Sequence, residues 1–147
     1  LNMIKLNFPD FEFKLKKIDN KTFIFDSFRK KFILLTPEEW VRQHVLNFLV
    51  LKKIPITHIA VEKQIIINSL NKRFDVVIYN NTGDVIMLVE CKSPSIKLTQ
   101  NVFDQISIYN LNLNSKYCMV TNGLDHIYFK IDKLSKKFTF VKDFPIK

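Results

Sequence analysis

Two apolar segments around one tight turn constrain the fold of this chain more than any other feature. Residues 74–79 and 85–89 are almost entirely apolar, and the five residues 80–84 between them read Asn-Asn-Thr-Gly-Asp. This pattern predicts a β-hairpin with Gly83 in the left-handed conformation. Because both arms are apolar on both faces, we expect the hairpin to be covered on both sides, in a mixed sheet of an α/β or α+β sandwich.

The flanking sequence predicts two helices, further strands and a single domain. Thr36-Pro37-Glu38-Glu39 is a helix start, with Thr as the N-cap and Glu three residues later, and the helix should end before Pro55. A second helix is predicted over 99–113. Other strands are predicted around 11–15, 22–25, 31–35, 59–68, 117–120 and 127–131. We expect an N-terminal β extension over 1–35, a core over 36–131 and a C-terminal strand and tail over 132–147.

Composition excludes several classes of protein. The two glycines, Gly83 and Gly123, cannot form the glycine-rich phosphate loops of nucleotide-binding folds, so no nucleotide is expected. The two cysteines cannot form a disulfide framework or a four-cysteine zinc site. No apolar run is long enough to span a membrane, so we expect a cytoplasmic protein without a membrane partner. The net charge of +9 favours a polyanionic partner, with nucleic acid first.

Charged residues lie at the open end of the apolar hairpin: Arg73, Asp75, Glu90 and Lys92. If the turn is centred between Thr82 and Gly83, Asp75 and Glu90 face each other with Cβ atoms about 5 Å apart, and Lys92 shares their face. Two carboxylates at that distance repel by roughly 3 kcal/mol at an effective dielectric constant of about 20. A proton, a nearby cation or a divalent metal would offset this, and oxygen ligands suit Mg²⁺ or Mn²⁺. The alternative is that these four charged residues simply form salt bridges with one another.

Five segments, taken in order, resemble the PD-(D/E)xK nuclease superfamily, and more closely the N-terminal nuclease domain of type I restriction enzyme R subunits. The segments are Thr36–His44, Arg73–Asp75, Val89–Pro94, Phe103–Gln105 and Val120–Gly123. The resemblance extends over roughly residues 31–131 and implies a restriction-endonuclease-like core. In that fold a mixed central sheet is flanked by helices in the order αβββαβ, here with an extra N-terminal antiparallel sheet. Phe74 replaces the family's proline, and the ATP-driven translocase of R subunits has no counterpart in these residues.

The resemblance also implies roles for individual residues. Asp75 and Glu90 would bind Mg²⁺ or Mn²⁺, with the backbone carbonyl of Cys91 as a further ligand. Lys92 would be the catalytic lysine, and Gln105 would contact Lys92 or the DNA backbone. The residues expected to contact DNA are Arg73, Gln105, Tyr109, Lys97, Lys30 and Lys31.

The acid that the family carries on its first helix matches Glu38 or Glu39. Glu38 is favoured because it shares a face with apolar residues and has Arg42 one turn on, whereas Glu39 is assigned to the capping box. A surface acid that favours the helix dipole is the alternative interpretation of Glu38.

The leading hypothesis is a metal-dependent DNA endonuclease domain that hydrolyses phosphodiester bonds. The alternatives on the same fold are a non-catalytic DNA-binding module and a partner-binding subunit. DNA is the expected partner, with restriction-system subunits or a second copy of the chain as further candidates.

Overall fold

The computed structural model describes residues 3–67, 69–113, 115–132, 134–135 and 137–147, without the side chains of residues 67, 70 and 109–113. Within these residues the helices are α1 (Pro37–Leu51) and α2 (Gln100–Leu113), and a short 3-10 turn spans Ile56–His58. The strands are β1 (Leu15–Ile18), β2 (Lys21–Asp26), β3 (Lys31–Leu34), β4 (Ile59–Ile67), β5 (Leu70–Tyr79), β6 (Val85–Cys91), β7 (Tyr117–Thr121), β8 (His126–Ile131) and β9 (Phe138–Val141). Neither helix in the described part of the chain has the length and apolar character needed to span a bilayer.

The N-terminal strands form the small antiparallel sheet that the sequence predicts, in the order β1-β2-β3. Asp19 and Asn20 form its first turn with φ angles of 50° and 63°, which these residue types tolerate better than most. The strand begins at Leu15, so the prediction of a strand from residue 11 is wrong. Phe11 and Phe13 instead pack their rings within 6.0 and 4.8 Å of the His44 ring on α1, where they are partly buried.

Helix α1 begins and ends as predicted. The Thr36 hydroxyl accepts a hydrogen bond from the Glu39 backbone N–H at 3.0 Å, with Pro37 in the first turn. The helix stops at Leu51, four residues before Pro55. Its apolar face, with Val41, Val45, Leu46 and Leu49 all fully buried, covers one face of the large sheet.

The large sheet has the order β4-β5-β6-β7-β8-β9, and only β6 and β7 pair in parallel. Helices α1 and α2 cover its opposite faces, because Val76, Val89 and Met119 pack with α1 while Val77, Leu88 and Val120 pack with Ile106 of α2. The order from α1 to β7 is therefore αβββαβ in a mixed sheet between helices, as predicted. Connecting β6 to the parallel strand β7 requires the crossover that α2 supplies.

The apolar hairpin has the predicted register, although its turn is built differently. Val76 pairs with Val89 and Val77 with Leu88, the alignment that brings positions 75 and 90 opposite each other. The register shifts at Tyr79, which pairs with Val85, so the turn is centred on Thr82 rather than between Thr82 and Gly83. An extra residue on β6 compensates for the shift, as a β-bulge does. Gly83 has the predicted left-handed conformation, with φ of 85°.

Candidate active site

Glu90 and Lys92 lie side by side in a small pocket between the end of β6 and helix α2. Lys92 Nζ is 3.6 Å from Glu90 Oε1, and both side chains are largely buried. The cavity has a volume of about 40 Å³ and is lined by Lys72, Phe74, Glu90, Lys92, Val102, Gln105 and Ile106. The strand alternation that predicts a shared face for Glu90 and Lys92 is therefore correct, and Gln105 reaches the same pocket from α2.

Asp75 is held between α1 and β6 instead of lining this pocket. Arg42 Nη2 donates a hydrogen bond of 2.6 Å to Asp75 Oδ1, and the backbone N–H of Cys91 donates one of 2.7 Å to Oδ2. Asp75 is not among the pocket-lining residues. The strand register predicted for Asp75 and Glu90 is nevertheless right, and Asp75 is close enough to Glu90 to raise its pKa. That Asp75 shares one face with Glu90 and Lys92 stays a prediction.

An irregularity in β4 and β5 explains the direction that Asp75 takes. Val61 pairs with Val76 and Lys63 with Phe74, but the pair between them is missing, and Glu62 has a φ of 50°. Phe74 packs on the α2 side of the sheet and Val76 on the α1 side, whereas regular alternation puts both on one face. Asp75 lies at this break. A non-glycine residue at positive φ inside a strand is uncommon and often marks a functional position.

The three carboxyl groups at this end of the sheet nevertheless influence one another. Burial raises the pKa of Glu90 to about 7, and the negative charge of Asp75 makes the next largest contribution. Burial also raises the pKa of Glu38, again followed by the charge of Asp75. Lys92 opposes both shifts. Burial is thus the main cause of both shifts, and the charge of Asp75 adds to it.

The structure distinguishes the two candidate acids of α1. Glu38 is half exposed, with its Oε1 3.3 Å from Arg42 Nη2, and it is the acid whose pKa responds to Asp75. The backbone N–H of Glu39 donates to the Thr36 hydroxyl at the start of the helix. The Glu39 carboxylate, however, is buried against Arg42 and Arg29. The assignment of the Glu39 side chain to a capping box is therefore wrong, because two arginines compete more strongly for its carboxylate than a backbone N–H does.

Two arginines connect the N-terminal sheet to Asp75 through this carboxylate. Arg42 Nη1 donates to Glu39 Oε1 at 2.6 Å, and Arg29 Nη2 donates to Glu39 Oε2 at 2.8 Å. Arg29, from the turn between β2 and β3, also bonds the fully buried carboxylate of Asp26. Burial alone would lower the pKa of Arg42, but the hydrogen bond and charge of Asp75 raise it. The result is a continuous chain of charge-assisted hydrogen bonds from Asp26 to Asp75.

Little in the sequence indicates this network. Arg42 and Asp75 are separated by 33 positions, and the spacing of α1 assigned Arg42 to Glu38. The sequence feature that points to a buried acid near α1 is Arg42 itself, because a cation on the apolar side of a helix needs a buried acid as partner.

Arg73 lies on the face of β5 opposite to the pocket. Its neighbours Lys72 and Phe74 both line the pocket, whereas Arg73 Nη1 is 3.8 Å from Glu62 Oε2 and its side chain is 59% exposed. Arg73 is accessible to DNA but is not part of the pocket.

The other predicted DNA contacts are dispersed over the surface. Lys30 lies in the turn between β2 and β3, Lys31 begins β3, and both are exposed. Lys97 lines a separate groove with Phe103 and residues of the β7–β8 connection. The side chain of Tyr109 lies outside the described residues.

The chemistry of the donors fits a hard divalent cation, although the number of ligands is small. Carboxylate oxygens from Asp75 and Glu90 are the ligands that Mg²⁺ and Mn²⁺ prefer, and a buried carboxyl with a raised pKa is stabilised by a nearby cation. Each oxygen of Asp75 accepts one hydrogen bond and keeps a second lone pair. No group of three His, Cys, Asp or Glu side chains in the described part of the chain has the arrangement of a metal site.

A known family matches most of the chain. The family described as type I restriction enzyme R protein N terminus (HSDR_N) matches residues 37–145, which include α1, the whole large sheet and all the pocket residues. The N-terminal sheet lies before the matched region. No curated protein matches the chain.

Proposed function

Because the chain belongs to the family of type I restriction enzyme R protein N termini, we propose that it is a metal-dependent DNA endonuclease domain that hydrolyses phosphodiester bonds. The observation that carries the proposal is the pocket in which Lys92 lies 3.6 Å from Glu90, beside Gln105 and within the electrostatic influence of Asp75. An acid and an ammonium group held together in a partly enclosed pocket suit hydrolysis of a charged ester.

Each residue has a distinct task in this proposal. Asp75 and Glu90 would hold Mg²⁺ or Mn²⁺, with the carbonyl of Cys91 as a further ligand and Glu38 as a supporting acid. The bound cation would polarise the phosphate and make a bound water more acidic. Lys92 Nζ would donate hydrogen bonds to the attacking water and to the phosphate oxygens as negative charge develops.

Arg42 is assigned a positioning role. Its hydrogen bond to Oδ1 fixes the orientation of the Asp75 carboxylate, while the Cys91 N–H fixes Oδ2. The carboxylate is thereby oriented before any ligand arrives, which reduces the reorganisation that binding requires.

The test is cleavage of supercoiled plasmid and of single-stranded DNA by the full chain with Mg²⁺ or Mn²⁺. Lys92→Ala should reduce the cleavage rate by roughly 10²-fold or more, the size of effect seen when one such charge-stabilising donor is removed. Lys130→Ala, which removes an exposed lysine on β8, is the matched control and should cleave like the wild type. Equal, metal-independent rates for the wild type and Lys92→Ala at high enzyme concentration contradict the proposal.

A non-catalytic DNA-binding module is the second candidate, and one observation favours it. Both oxygens of Asp75 are already engaged, by Arg42 and by the Cys91 N–H. This candidate predicts salt-dependent DNA binding that neither a chelator nor Asp75→Asn changes. The family also suggests that DNA and other subunits of a type I restriction system are the partners in either case.

A further inference from the structure

The pocket contains a second lysine that the sequence pattern did not indicate. Lys72, on β5, lines the pocket together with Lys92, which directly follows the end of β6. Glu90 is the one carboxylate among the lining residues. Counting only the lining side chains, an ionised Glu90 leaves one net positive charge from the two lysines, while Asp75 and Glu38 add negative charge nearby.

The position of Lys72 on β5 orients it toward the pocket. Lys72 and Phe74 are two residues apart in a regularly paired part of the strand, where Lys72 pairs with Ile65 and Phe74 with Lys63. Their side chains therefore lie on the same face, and Lys72 Nζ is 5.8 Å from the centre of the Phe74 ring. The aliphatic part of a lysine commonly lies along such an apolar surface while its charged end reaches polar surroundings.

The other lining groups fit the same ligand. Phe74, Val102 and Ile106 give the pocket an apolar wall, and Gln105 adds an amide that donates hydrogen bonds. The cavity, at about 40 Å³, is too small for a base pair, so a nucleic acid would reach it through its backbone.

We propose that Lys72 binds a phosphate of the DNA strand that enters the pocket, opposite Lys92. This inference rests on the proposed nuclease function and adds a substrate-binding residue to its site. Lys72 replaces Arg73 as the cation that β5 contributes to the pocket, since Arg73 lies on the other face of the strand.

The experiment measures DNA binding by fluorescence anisotropy in EDTA, so that no cleavage is needed, from 50 to 200 mM KCl. A phosphate contact contributes about 0.7 for single-stranded and about 0.9 for double-stranded DNA to the slope of log affinity against log salt. Lys72→Gln should lower the slope by about this amount, which reduces the loss of affinity over this salt range by about threefold. Lys72→Arg should keep the slope, and Lys130→Gln should have the wild-type slope.

Glu90→Gln and the double variant Glu90→Gln/Lys72→Gln separate phosphate binding by Lys72 from its effect on the charge of Glu90. If Lys72 contacts DNA, Lys72→Gln lowers the slope in the Glu90→Gln background as well. If Lys72 acts only on Glu90, its removal leaves the slope unchanged in that background, which overturns the inference. Equal slopes for Lys72→Gln and Lys130→Gln in the otherwise wild-type chain overturn it too.

The outcome is independent of the outcome for the nuclease proposal. A chain that never cleaves DNA but loses one phosphate contact in Lys72→Gln supports the inference and contradicts the nuclease function. A chain that cleaves normally, with an unchanged slope in Lys72→Gln, contradicts the inference alone.

Discussion

Arg42 Nη2 lies 2.6 Å from Asp75 Oδ1, and both side chains are buried between α1 and the large sheet. The same guanidinium bonds Glu39, which in turn bonds Arg29 of the N-terminal sheet. The proposed metal ligand is therefore fixed by a network that begins outside the region shared with the family. This relationship makes Arg42 important for stability and, in the proposed nuclease, for the orientation of Asp75.

Replacing Arg42 should destabilise the fold strongly. Arg42→Met leaves the carboxylates of Asp75 and Glu39 buried without their main partner, which we expect to lower the free energy of unfolding by about 3 kcal/mol or more. Arg73→Met is the control, because its ion pair with Glu62 lies at the surface, and should cost less than about 1 kcal/mol. Urea denaturation at pH 7 measures both, and equal stability of Arg42→Met and Arg73→Met would contradict the network.

Glu90 should make the folded state less stable at high pH. Its pKa is raised from 4.5 to about 7 in the folded protein, first by burial and then by Asp75. The native state therefore binds more protons than the unfolded state between these values, and the stabilising contribution of the protonated form is lost as the pH rises toward 7. Glu90→Gln should be more stable than the wild type by about 2 kcal/mol at pH 8 and close to it at pH 4.5. A stability difference that does not change between these two pH values argues against the burial of an ionisable Glu90.

Metal binding should depend on the two carboxylates and on pH. Isothermal titration calorimetry with Mn²⁺ should give binding heat for the wild type that Asp75→Ala and Glu90→Gln abolish. Asp84→Asn, in the exposed hairpin turn, should bind like the wild type. Because Glu90 must lose its proton to act as a ligand, affinity should rise by about tenfold from pH 6 to pH 8. Binding heat that persists in Asp75→Ala would locate the metal elsewhere.

The two glycines provide a matched test of how the N-terminal segment packs. Both have positive φ, 85° for Gly83 and 87° for Gly123, so alanine should cost about 1 kcal/mol at either position. A Cβ on Gly83 meets open space, whereas one on Gly123 lies 2.8 Å from Leu6 Cδ2 and 3.1 Å from Val41 Cγ2. Gly123→Ala should therefore lose roughly 2 kcal/mol more than Gly83→Ala in thermal or urea unfolding. Equal losses would show that Leu6 does not pack there.

Local features were predictable because their causes are local. The cap at Thr36, the turn at Asp19-Asn20 and the alternation that puts Glu90 and Lys92 in one pocket all depend on residues a few positions apart. The hairpin register was predicted correctly from a turn centre that was wrong by half a residue. A bulge that adds one residue to β6 corrected that error, and no local pattern in an apolar strand marks such a bulge.

The order of elements, the pairing of the hairpin and the acids and lysine at its open end follow from the amino-acid sequence alone. The cation that holds Asp75, and the choice of Lys72 over Arg73 as the cation of β5 that lines the pocket, emerge only in the folded chain. The physical reason is that these outcomes depend on contacts between distant segments. Arg42 reaches Asp75 across 33 positions, and the irregularity at Glu62, on the neighbouring strand, interrupts the alternation that a single strand would otherwise keep.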